Sequence, residues 1–138
     1  MSDPELSVLI VEDEREQEEN TRRVLMAALG QFPRIQVARD IRQLETLGRD
    51  VWSLIVLDKY LRNQDVIGWL EGQGMWLLSK WKEMGTPVFL TSTYAHPIED
   101  KTRLRRHGLS VENWGRGVST AEVAGGIARL CGKAPIES

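Results

Sequence analysis

Three unbroken apolar runs constrain this chain more than any other feature: Val8-Leu9-Ile10-Val11, Leu54-Ile55-Val56-Leu57 and Val88-Phe89-Leu90. A strand with one wet face alternates apolar and polar residues. A continuous, partly β-branched run means that both faces are covered, as for strands inside a parallel sheet. Each run ends in polar residues, Glu12-Asp13, Asp58 and Thr91-Ser92-Thr93 respectively.

Helical patterns separate the runs. Val24, Leu25, Ala28 and Leu29 share one face of a first helix, and Gly30 suits the position just beyond it. Ile35, Val37 and Ala38 form a short second strand. Asp40 with Gln43 reads as a capping box, opening a helix with Ile41, Leu44 and Leu47 inward and Gly48 at its end. Residues 59–74 form a longer connection than most between strand and helix. Its apolar cluster, Val66, Ile67, Trp69 and Leu70, is expected to fold back on the domain, with docking of a partner as the alternative. Met75 to Met84 is helical, with Trp76, Leu77, Leu78 and Trp81 on a broad apolar face. Pro97 opens a weakly amphipathic helix to about His107, with Ile98 and Leu104 its only large apolar residues. Ser110 to Trp114 is a final short strand. Ser119 with Glu122 caps a last helix carrying Val123, Ile127 and Leu130 inward. Strand and helix thus alternate five times, which implies an α/β fold: a doubly wound parallel sheet with helices on both faces.

Composition narrows the class. With 138 residues, 41% of them hydrophobic, the chain has the size of one soluble domain, its core about residues 6–132. No apolar run approaches the ~20 residues of a membrane span, and no basic segment precedes an apolar stretch near Met1. A lone cysteine, Cys131, excludes an internal disulfide and a cysteine-rich zinc site. A cytoplasmic location is therefore expected. Eighteen basic against 20 acidic residues, a formal charge of −2, argue against direct nucleic-acid binding.

In an open α/β sheet, ligands bind at the carboxyl edge of the strands, and there Glu12, Asp13, Asp58 and the hydroxyls of residues 91–93 collect. Carboxylates crowded into one cleft repel unless a positive charge sits among them. A hard, oxygen-preferring cation such as Mg²⁺ suits such a set. A carboxylate beside Mg²⁺ can also attack phosphorus, forming an acyl phosphate. Glu14, Glu16, Glu18 and Glu19 have a plainer reading, as anions at a helix N-terminus, with Glu18–Arg22 and Glu19–Arg23 as pairs four residues apart. Arg103, Arg105 and Arg106 read as a solvated helix face, and His96 and His107 as structural or exposed.

Val8 to Glu14, Leu54 to Leu61 and Thr86 to Ser92 together resemble the receiver domains of two-component response regulators. The resemblance implies a flavodoxin-like five-stranded sheet in the order 2-1-3-4-5. It implies Asp58 as phosphoacceptor, Asp13 as direct Mg²⁺ ligand, Glu12 acting largely through water, and the backbone carbonyl of Tyr60 as a further ligand. Ser92 matches the hydroxyl that follows the phosphoryl group, with Thr91 the alternative if the count from Pro87 slips by one. The implied partners are a histidine kinase or phosphotransfer protein and a downstream protein target, with a homodimer left open. The sequence also departs from the family. The lysine expected at the end of the fifth strand is absent from Val111-Glu112-Asn113-Trp114-Gly115-Arg116, and Arg116 is the nearest cation. The proline usual after Leu61 is missing. These departures favour, as the rival reading, a pseudo-receiver that docks partners without phosphorylation. A Mg²⁺-dependent phosphohydrolase is the third reading, disfavoured because Tyr60 stands where such enzymes place a second aspartate.

Overall fold

The computed structural model describes residues 6–29, 34–91 and 97–113. Five parallel strands form the central sheet: β1 (Ser7–Val11), β2 (Arg34–Ala38), β3 (Leu54–Leu57), β6 (Val88–Leu90) and β7 (Val111–Asn113). Their spatial order is β2-β1-β3-β6-β7, so the chain runs first to one edge and then back across to the other. Counting these five strands along the chain, that is 2-1-3-4-5, as the resemblance implies. The register pairs Val11 with Ala38 and Leu57, and Leu57 with Leu90.

The three apolar runs are buried on both faces. Alternate side chains point to opposite sides. Leu9, Val11, Ile55, Leu57, Val88 and Leu90 enter the larger core, together with Leu44 of α2 (Ile41–Leu47), Trp81 of α4 (Met75–Met84) and Leu104 of α5 (Pro97–Arg106). Val8, Ile10, Leu54, Val56 and Phe89 face the other way, onto Val24 and Leu25 of α1 (Arg15–Leu29). The last expected helix lies outside the described residues, as does Trp114.

Local signals account for the element ends. Asp40 accepts from the Gln43 backbone N–H at 2.8 Å, while the Gln43 side chain accepts from the N–H of Arg39 at 2.7 Å. This is the expected capping box with its second bond made one residue earlier. Gly85 ends α4 at φ +65°, a left-handed conformation that side chains disfavour. Trp81 donates its indole N–H to the carbonyl of Gly48 at 3.0 Å, tying α4 to the end of α2.

Residues 59–74 are built, not loose. Tyr60–Leu61 (β4) and Gln64–Asp65 (β5) make a small antiparallel hairpin, and Val66–Glu71 forms α3. Arg62 and Asn63 turn the hairpin with φ of +48° and +69°, as a two-residue type I′ turn requires. Asp65 caps α3 through the Gly68 N–H at 3.1 Å. Leu61, Val66, Ile67 and Leu70 are fully buried, and Trp69 packs against the same core. Two apolar residues behave otherwise than their patterns suggest. Trp76 lies outward with the Arg49 guanidinium 5.0 Å from its ring centre, and Ile98 is 74% exposed, leaving Leu104 to anchor α5.

Candidate metal and phosphoryl site

The parallel ladder continues for one step past the strands. Glu12 N–H donates to the Ala38 carbonyl at 3.0 Å, Asp58 N–H to Val11 at 3.1 Å, and Thr91 N–H to Leu57 at 3.2 Å. Glu12, Asp58 and Thr91 are therefore held side by side at the carboxyl edge, where β1 and β3 meet between the two halves of the sheet. Glu12, Asp13 and Asp58 each present a carboxylate oxygen, and these three oxygens lie within 4.8 Å of one another.

Each acid has a distinct setting. Asp13 accepts from the backbone N–H of Arg62 at 2.9 Å, so the hairpin turn steers it. Asp58 accepts from the Lys59 N–H at 2.8 Å, and the Thr91 hydroxyl stands 3.5 Å from the same oxygen. Glu12 is 1% exposed, and its Oε1 has no hydrogen-bond partner. Burial pushes the Glu12 carboxyl from 4.5 up to about 9, and the closeness of Asp58 and then the charge of Asp13 push the same way. An open cavity of about 300 Å³ fronts the cluster, lined by Asp13, Glu14, Gln17, Asp58, Lys59, Tyr60 and Asn63.

An unpartnered buried carboxylate oxygen beside two further carboxylates, all hard oxygen donors, fits a divalent ion of the Mg²⁺ or Ca²⁺ type. Of the residues that the sequence singles out, Glu12, Asp13, Asp58 and Thr91 converge, and Tyr60 lines the same cavity with its ring half-exposed. Ser92 and Arg116 lie outside the described residues.

Sequence reading passed over two contributors. One is the Arg62 N–H, whose only trace in the sequence is the Arg62-Asn63 turn. The other is Lys59, a lysine directly after a buried strand. Its ammonium is buried 2.7 Å from Asp100 of α5 and 3.6 Å from Asp65. From there a network spreads outward. Arg103 bonds Asp100 at 3.0 Å and also Glu71 of α3, and the Glu71 carboxylate accepts from the His107 ring Nε2 at 2.8 Å. Burial alone would raise the Glu71 carboxyl, but its bonds to His107 and Arg103 outweigh that and hold it low. Arg103 is thus a structural residue of α5 and not part of a solvated patch. Of the two helix pairs expected on α1, Glu18–Arg22 forms at 2.9 Å, and Glu18 also binds Arg39.

Topology and site edge together define the receiver-domain fold. No protein-family model matches the sequence, and no curated protein matches it. Solved structures do match. The signal receiver domain of a DNA-binding response regulator from Colwellia psychrerythraea is similar with a TM-score of 0.67 at 16% identity, over 94% of this chain and 100% of that one. A CheY-like response regulator receiver domain from Methanospirillum hungatei gives 0.65 at 17%, over 94% and 95%. A response regulator from Burkholderia pseudomallei with a phosphorylated aspartic acid, calcium ion and citrate gives 0.63 at 11%, over 93% of this chain and 69% of that one. At these identities the likeness is one of fold.

Proposed function

We propose that this domain is a response-regulator receiver that accepts a phosphoryl group on Asp58 from a phosphohistidine of a histidine kinase or phosphotransfer protein, with Mg²⁺ bound, and signals through contact with a downstream protein. The observation that carries this reading is the meeting of Glu12, Asp13 and Asp58 carboxylate oxygens within 4.8 Å of one another, with a buried Glu12 oxygen left unpartnered.

In this reading an Asp58 oxygen attacks phosphorus. The new P–O bond forms as the P–N bond to the donor breaks, and the leaving imidazole nitrogen takes up a proton. The two faces of the site separate roles. Asp13, held by the Arg62 N–H, and Glu12 would hold the ion, with the Tyr60 carbonyl a further ligand. Bound Mg²⁺ would neutralise charge on the transferring group. The Lys59 N–H keeps one Asp58 oxygen in place, and Thr91 is the described hydroxyl nearest it. The hydroxyl that answers the phosphoryl group is Ser92 or Thr91, and the register in which Thr91 follows the Leu57–Leu90 pair supports the Thr91 alternative.

Acetyl phosphate with Mg²⁺, read by intact mass, tests the proposal. Wild type is expected to gain one phosphoryl mass and Asp58→Asn none. A gain that persists in Asp58→Asn, or its absence in wild type under saturating donor, refutes it. The pseudo-receiver reading draws on one specific observation: Lys59, the cation nearest Asp58 in sequence, is already engaged by Asp100 and Asp65. That reading expects partner binding that is indifferent to the phosphodonor and to Asp58→Asn.

A further inference from the structure

The cavity at the strand ends is lined by three carboxylates and, among the described residues, by a single cation, Lys59. Its side chain is 8% exposed and its partner Asp100 1%. A lysine so buried is held in place by its counter-charges, since taking either charge out of water is repaid only by close pairing. The counter-charges come from two elements. Asp100 belongs to α5, and Asp65 closes the hairpin whose turn also holds Asp13. Lys59 follows Asp58 in the chain, so its backbone moves with the acceptor residue, while its ammonium is bonded to α5.

A phosphoryl group on Asp58 would add about −1.5 to −2 charges to this cavity. The only positive side chain lining it, among the described residues, is then drawn by two competing sets of oxygens. Resting on the phosphoacceptor reading above, we propose that Lys59 serves the phosphoryl group on Asp58 and that its ion pair with Asp100 transmits the state of the site to α5. Lys59 gives up or shares Asp100 when the phosphoryl oxygens are present. The Lys59 link between the first turn of α5 and the acceptor strand is then weakened, while the Asp100–Arg103 bond within α5 remains, and the helix loosens.

Amide hydrogen exchange over residues 97–106 reads α5 directly. It is measured on the full chain with Mg²⁺ alone, with Mg²⁺ and acetyl phosphate, and with Mg²⁺ and beryllium fluoride, a phosphoryl mimic that needs no transfer chemistry. Wild type is expected to show exchange rising several-fold in the last two conditions. Lys59→Met combined with Asp100→Leu removes both charges at once and so leaves no orphan ion in the core. Intact mass and the change of tryptophan fluorescence report whether its site is still occupied. In that double variant the site is expected to fill, with acyl phosphate forming several-fold more slowly, while α5 exchange stays the same in all conditions. A full α5 response in the double variant overturns the proposal, as does an unchanged α5 in wild type whose site is filled. If wild type gains no mass but α5 answers beryllium fluoride, phosphotransfer fails as the function and the Lys59 link stands. If wild type gains no mass and α5 answers neither reagent, both fall.

Discussion

At the scale of single residues, the site is a balance of like charges. Glu12 keeps its proton in the metal-free fold because burial and the neighbouring Asp58 and Asp13 oppose its ionisation. The unfolded chain loses that proton near 4.5, the folded one only near 9. Between these values unfolding releases a proton, so the metal-free domain loses stability as pH rises through that window. The slope is at most about 1.4 kcal/mol per pH unit. Urea denaturation of metal-free protein at both ends of the window checks this. Glu12→Gln should flatten the dependence, and an unchanged slope in that variant would show that another group is responsible. Arg62 carries a second prediction. It holds φ +48°, a region that disfavours side chains by roughly 1–2 kcal/mol, yet the Asp13 contact uses only its backbone N–H. Arg62→Gly is expected to raise the denaturation midpoint while leaving Mg²⁺ affinity intact. A fall in stability would mean that the arginine side chain contributes more than its backbone strain removes.

Among the elements, the segment between β3 and α4 departs furthest from expectation. A long connection with an apolar cluster was legible, and so was its return to the core, because Val66, Ile67 and Leu70 had to be covered. Its internal structure was not. A two-residue turn without glycine is a weak signal, and two-residue strands lie below what periodicity can resolve. The ring of Trp69 is packed so closely on Gly74 that a Cβ there would come within 2.5 Å of it. Gly74→Ala should therefore displace Trp69, lowering the melting temperature and changing tryptophan fluorescence together. Either change without the other would contradict that packing. Trp81, wholly buried and bonded to Gly48, ties two helices, and Trp81→Ala is expected to cost about 3–5 kcal/mol in chemical denaturation. By contrast, α5 keeps only one of its two large apolar residues inside: Ile98 is exposed, and α5 is held by Leu104 and by the ion network of Asp100, Arg103 and Glu71, pairings across the fold that no local pattern announces.

For the whole molecule, ligand linkage follows from where the acids sit. A divalent ion that binds the folded cluster and not the unfolded chain raises stability with its concentration. Mg²⁺ titration should therefore raise the melting temperature, most strongly at alkaline pH, where Glu12 is ionised without help. Asp13→Asn should abolish most of that shift, and a shift undiminished in Asp13→Asn would place the ion elsewhere. No helix among the described residues is long and apolar enough to cross a membrane.

The linear chain was sufficient to specify alternation of strand and helix, two-sided burial of three strands, and polar residues at each strand's end. Those properties are local: they depend on which side chains neighbour one another along a backbone whose geometry has few choices. The companions of those polar residues were decided in three dimensions. Thr91 stands beside Asp58 because of sheet register, and Lys59 meets Asp100 because β3 and α5 pack against one core. Interactions between residues distant in sequence leave no periodic trace, since each partner needs only to be polar where the fold happens to bring the other.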